Sequence, residues 1–145
     1  MRAAVTTESV SLARPLPAIN EMNGYFWRGG ADGRLHIMHC GDCDLYFHPY
    51  QSFCSACHSA NVAPAPVSGR ATVLSSTINH QPWFPHVPVP YVVALVELEE
   101  RGPVRLLTNM FGEPVDAIVP GMLVTVHFEQ HGDIFVPLFR PAGAA

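Results

Sequence analysis

The sequence contains no lysine: its eight basic side chains are all arginines, set against twelve acids for a net charge of −4 over 145 residues. Charged residues make up only 14%. No basic stripe is visible, which argues against a sequence-independent nucleic-acid binder. No apolar run approaches the roughly 20 residues that a membrane-crossing helix needs. The opening MRAAVTTESVSLARP also lacks the apolar core of a secretory leader. These absences lead us to expect a soluble, cytoplasmic chain with no membrane partner. HExxH, GxSxG, the Walker loop and GxGxxG are missing as well. None of the eight histidines stands at a spacing that implies a nucleophile or base. Glu97, Glu99 and Glu100 read as a solvated strand end. The weight moves toward a binding or accessory role.

What is there is apolar: 48% of residues, enough for a core in one medium domain or two very small ones. Four cysteines stand as Cys40-x2-Cys43, ten residues, then Cys54-x2-Cys57. In a reducing compartment such paired CxxC units indicate metal more often than disulfides. A CxxC turn sets two sulfurs on one side of a tight knuckle, and two knuckles complete a tetrahedron. Zinc is the expected ion and a rubredoxin-like iron its rival, since four sulfurs do not by themselves choose the metal. Four thiolates close the coordination shell, so this metal should hold structure and not perform chemistry. The residue after each knuckle often needs positive φ; here these are Asp44 and His58, which tolerate it better than most. His36, His39, His48 and His58 lie nearby and read as ordinary surface or packing residues, because the cysteines alone fill the ligand set.

Residues 1–16 carry no periodicity and read as a flexible arm. Pro17–Trp27 reads as a short helix with Ile19, Met22 and Phe26 on one face. Gly29-Gly30 ends it, Asp32-Gly33 signals a turn, and Leu35–His39 alternates as a strand running into Cys40. Ser59–Gly69, small and proline-rich, reads as a linker containing the domain boundary, with the helix and ribbon in 17–62 and a second domain in 67–140. Strands follow over Arg70–Ile78, Tyr91–Glu99, Val104–Phe111, Met122–Glu129 and Ile134–Phe139. Val92, Ala94, Val96 and Leu98 share one face of the second, while Met122, Val124, Val126 and Phe128 turn inward on the fourth. Pro137 makes the fifth an edge or ends it there. Five strands with no strong helix between them predict a small closed barrel of OB type, so the fold class is mainly β. The tail 141–145 should fray.

Two groups of residues are candidates for contact with a ligand or partner. His80–Pro90 joins the first two barrel strands and combines four prolines with Trp83 and Phe84. Stiff loops lose little entropy on binding, and flat aromatics offer apolar area. The same aromatics could instead plug a barrel end or cover the ribbon. Arg70, Arg105 and Arg140 fall in or beside barrel strands and could reach a phosphate or simply face solvent.

The order of parts resembles a known family. Phe26-Trp27, Gly33-Arg34-Leu35, CGDC and CSAC, then PYVVALVELEERGPVRLLTNMFGEP and PGMLVTVHFEQHGDIFVPLFRP, resemble the acyl-CoA-associated zinc-ribbon/OB-fold family over about residues 20–141. The resemblance implies an N-terminal helix, a rubredoxin-like zinc ribbon and a C-terminal OB barrel. It also implies an accessory, non-catalytic subunit of a thiolase-superfamily enzyme, including lipid-transfer-type aldolases of sterol side chains, or of a hot-dog-fold enoyl-CoA hydratase. Such a subunit would hold part of an acyl-CoA or shape its passage; the candidate ligand or partner contacts in this chain are Phe26, Trp27, Trp83, Phe84, Arg105 and Arg140. Two departures stand out: Asp44 replaces the usual glycine, and Tyr50-Gln51-Ser52-Phe53 carries no basic residue where the family often has one. A single-stranded nucleic-acid binder is the alternative, since ribbons and OB barrels both do that work. Against it, residues from Val67 onward hold four arginines and seven acids. A rubredoxin-like electron carrier is a further alternative.

Overall fold

Asn20 decides where regular structure begins in the computed structural model, which describes residues 14–111 and 113–143. Its side-chain oxygen accepts from the N–H of Met22 and of Asn23, its own N–H donates to Asn23 Oδ1, and its carbonyl accepts from Gly24. This side-chain-locked turn competes with helix, so the expected helix over Pro17–Trp27 shrinks to α1, Gly24–Arg28. A 3-10 turn over Gly29–Asp32 follows. Phe26, a candidate contact, is buried, and Met22 of the same expected helix face is exposed. Most of the expected arm, residues 1–13, lies outside the described residues.

The ribbon is a three-stranded sheet in the order β2-β1-β3, with β1 His36–Cys40, β2 Tyr46–Phe47 and β3 Val62–Pro66. β3 lies inside the segment read as a linker. Its Pro64 and Pro66 pair with Met38 and His36, and they fit because β3 is an edge strand, where a missing N–H harms no ladder. β1 carries the period-2 alternation that builds two cores at once. Leu35 and Ile37 face the barrel, while Met38 and Cys40 face the cysteines.

The second half is a five-stranded antiparallel sheet. Its strands are β4 Arg70–Asn79, β5 Tyr91–Leu98, β6 Arg105–Met110, β7 Leu123–His131 and β8 Ile134–Pro141. They are ordered β6-β5-β4-β7-β8. In β5 every second residue is buried, Val92, Ala94, Val96 and Leu98, opposite Met110, Thr108 and Leu106 of β6. A register shift between Val73 and Ser75 bends β4, whose first three residues pair with β7 while Ala71–Val73 and Ser75–Asn79 pair with β5. Pro137 does not end β8, which continues to Pro141 as an edge strand.

The expected closed barrel is a partly open one: among the described residues no ladder joins β6 to β8. The seam between them holds a pocket, lined by Pro15, Pro17, Phe26 and Trp27 on one side and Leu106, Val136 and Leu138 on the other. Arg14 fastens the segment that flanks it. It donates to Glu129 at 2.7 and 3.2 Å and to Asn109 at 3.2 Å, and it lies 5.6 Å from the Phe111 ring centre. Ribbon and barrel share one hydrophobic cluster containing Phe26, Leu35, Ile37, Val96, Val104 and Phe139. A second tie is polar: Tyr46 of β2 donates its backbone N–H to the carbonyl of Arg101 in the β5–β6 turn at 2.9 Å.

Candidate metal centre

Each cysteine pair sits in a turn with the same hydrogen bonds. Asp44 N–H donates to the Cys40 carbonyl at 3.0 Å, and His58 N–H donates to the Cys54 carbonyl at 2.9 Å. Cys40 N–H reaches the carbonyl of Leu45, and Cys54 N–H reaches that of Ser59, both at 2.9 Å. Closing the turn requires the residue after the second cysteine to be left-handed. Asp44 has φ 64° and His58 φ 61°, as their positions in the sequence predict. Asp44 is further held by His39 Nε2 at 2.6 Å, and the His39 ring packs on Tyr46 at 4.6 Å.

The two knuckles face each other. All four Sγ atoms lie within 4.8 Å of one another, with Cys40–Cys57 at 3.6 Å and Cys43–Cys54 at 3.5 Å. A zinc–sulfur bond of about 2.3 Å gives a tetrahedron with edges of about 3.8 Å, so the four sulfurs are spaced for one ion. Cys40 and Cys54 are buried and Cys57 is exposed. Backbone N–H groups of Cys57 and then Ala56 point at Cys54 Sγ and bring its thiol down to about 6. At Cys43 the N–H of Leu45 favours the thiolate, but desolvation and the neighbouring sulfurs outweigh it and push the thiol up to about 12. Four sulfurs this close do not all ionise without a cation among them, so the donor set fits a thiophilic dication.

A polar bridge joins the knuckles. Asp42, inside the first, accepts from Ser59 Oγ just after the second, and from Asn61 Nδ2 at 2.9 Å. The backbone makes the same tie, Gly41 N–H donating to the Asn61 carbonyl at 2.8 Å. Nothing in the spacing of Asp42, Ser59 and Asn61 signals this bridge in the sequence.

The other candidate residues are not gathered at one place. Phe26 is buried against Trp27 and His48, with both ring centres 4.8 Å away. Trp27 is half-buried. Trp83 and Phe84 stand out from the β4–β5 loop, 67% and 42% exposed, and Trp83 Nε1 donates to Asn79 at 3.1 Å. They plug no barrel end. Arg105 is engaged with Glu97 at 2.9 Å and Arg70 with Glu99. Arg140 has a buried Nε with no partner among the described residues. Sequence reasoning missed Arg14, which sits in a stretch without periodicity and is recognisable only through its partners on β6 and β7.

Two family models match this chain, the ChsH2 rubredoxin-like zinc ribbon domain over residues 27–63 and the ChsH2 C-terminal OB-fold domain over residues 65–129. The solved structure of an Ltp2-ChsH2(DUF35) aldolase contains a chain that is 36% identical, with a TM-score of 0.77, covering 88% of this chain and 99% of that one. The chain belongs to the ChsH2 zinc-ribbon/OB-fold family. Among family relatives is a "Probable enoyl-CoA hydratase alpha subunit" of Thermomonospora curvata, 36% identical over 138 residues, which are 94% of this chain and 43% of that protein. Another is the 3-oxo-4,17-pregnadiene-20-carboxyl-CoA hydratase alpha subunit of Mycobacterium tuberculosis, 34% identical over 125 residues, 86% of this chain and 39% of that protein. The chain therefore spans about two fifths of the length of these two relatives. A DUF35-family protein of unknown function from Sulfolobus solfataricus has the same fold at 19% identity, with a TM-score of 0.55 over 74% of this chain and 78% of that one. Among the described residues no helix is long and apolar enough to cross a membrane.

Proposed function

We propose that this chain is a zinc-stabilised, non-catalytic subunit of a complex that processes an acyl-CoA. The observation that carries the reading is the near end-to-end match to the ChsH2 chain of an aldolase assembly at 36% identity, joined by two relatives named as acyl-CoA hydratase alpha subunits. The partner would be a lipid-transfer-type aldolase of the thiolase superfamily or a hot-dog-fold hydratase, and the bond-making chemistry would be the partner's. Cys40, Cys43, Cys54 and Cys57 would hold zinc in a closed four-sulfur shell, with no open position for a substrate. Trp83 and Phe84 would serve as docking anchors, since exposed aromatics in a low-charge setting suit the centre of an interface. Arg140, free of carboxylate partners among the described residues, suits an anionic group of the CoA better than Arg105, which Glu97 already engages.

The single-stranded nucleic-acid alternative finds less support, because Arg14, Arg28, Arg70 and Arg105 are all paired with carboxylates. The deciding experiment is affinity capture of the tagged full chain from its native host, with mass spectrometry and nucleic-acid staining of the eluate. A stoichiometric aldolase or hydratase subunit is expected. Salt-sensitive recovery of nucleic acid in its place would overturn the reading.

A further inference from the structure

We propose that Asp42 is the positioning residue that controls how readily the metal leaves. The proposal rests on the reading of the four cysteines as a metal centre. Each CxxC knuckle supplies two sulfurs, so the four-sulfur shell is complete only while the two knuckles stay together. The covalent path between them is the ten-residue segment Asp44–Phe53, too long to set their separation. Two direct ties join them, the backbone bond from Gly41 N–H to the Asn61 carbonyl at 2.8 Å and the side-chain brace of Asp42. One carboxylate oxygen takes the Ser59 hydroxyl, and the other takes the Asn61 side-chain N–H at 2.9 Å. Ser59 Oγ also accepts from the Asn61 backbone N–H at 3.0 Å, which holds both donors in place.

Gly41 makes this approach possible. A Cβ there would sit 2.6 Å from Asn61 Nδ2, so any larger residue would push away the side chain that Asp42 binds. The brace lies on the side of exposed Cys57, two residues before Ser59, whereas buried Cys40 and Cys54 are held by the Met38–Phe47 packing. Cys57 is therefore the sulfur most open to a competing ligand, and the brace restrains the chain that carries it. Groups outside the ligand set that hold metal ligands in place are worth about 10–100-fold in affinity when removed.

The test uses the full chain loaded with zinc, with release into excess chromogenic chelator followed over time. Asp42→Ala should release zinc about tenfold faster. Asp42→Asn, which keeps one acceptor oxygen, should fall between it and the native chain. In a Ser59→Ala/Asn61→Ala background the Asp42→Ala change should add nothing further, because its partners are already gone. Asp116→Asn, an exposed carboxylate outside the ribbon, serves as control at the native rate. Native release rates in both Asp42 variants, or fully additive effects in the triple variant, would overturn the brace while leaving the metal reading intact. A native chain that binds no metal overturns both.

Discussion

Gly102 shows how much one residue decides. It sits at φ 128° in the β5–β6 turn, where a Cβ would stand 2.3 Å from the Tyr46 carbonyl oxygen of the ribbon. That neighbour is backbone and cannot rotate away. Gly102→Ala must therefore either strain φ or open the seam between barrel and ribbon. We expect a loss of about 2 kcal/mol in urea unfolding; an unchanged midpoint would mean that the turn relaxes freely. Asp44 and His58 make the complementary point, since both adopt positive φ without being glycine. At position 44 the side chain also gains a partner in His39.

The β4–β5 loop and strand β7 carry the predictions at the scale of elements. Trp83 and Phe84 contribute little to the core, so Trp83→Ala and Phe84→Ala should leave stability within about 0.5 kcal/mol. The same changes should weaken capture of the proposed partner enzyme. A large drop in thermal midpoint would instead assign these rings a packing role. On β7, His127 is held below the usual histidine value of 6.5, first by burial and then by the Arg140 charge, with Glu129 opposing. The unfolded chain then binds the proton more readily than the folded one. Stability from this site is fully present above pH 6.5 and is lost as pH falls from there through the lowered folded value. His48, lowered by burial alone, acts in the same direction. Urea midpoints measured between pH 5 and 8 should fall on the acid side, and His127→Gln should flatten the slope. A profile identical to the native one would remove His127 as its source.

For the whole molecule, the consequence of one shared core is cooperativity. Leu35 and Ile37 of the ribbon pack in the same cluster as Val96 and Phe139 of the barrel, through a strand that ends at Cys40. Stripping the metal should thus cost the barrel stability as well as the ribbon. We expect chelation, or Cys40→Ser, to lower the single unfolding transition by several kcal/mol, given the large folding free energy carried by structural zinc sites. Calorimetry showing an unshifted barrel transition after metal loss would mean that the two parts fold independently.

Much of this was legible from local pattern. The CxxC pairs announced two knuckles because the turn chemistry is contained within five residues. The alternation of Val92, Ala94, Val96 and Leu98 announced a buried strand face because a strand's period is a local property. Pro137 on an edge strand and positive φ at Asp44 and His58 follow from the same kind of reasoning. The tertiary structure alone decided the rest. Val62–Pro66 is a strand only because β1 offers it an edge, and its prolines gave the opposite signal. The helix is short because Asn20 and Asn23 bond each other first. Arg14 is anchored by Glu129, 115 residues away, and Asp42 meets Asn61 across 19. Such pairings depend on which surfaces the folded chain brings together, and a linear sequence encodes that only through the packing of the whole.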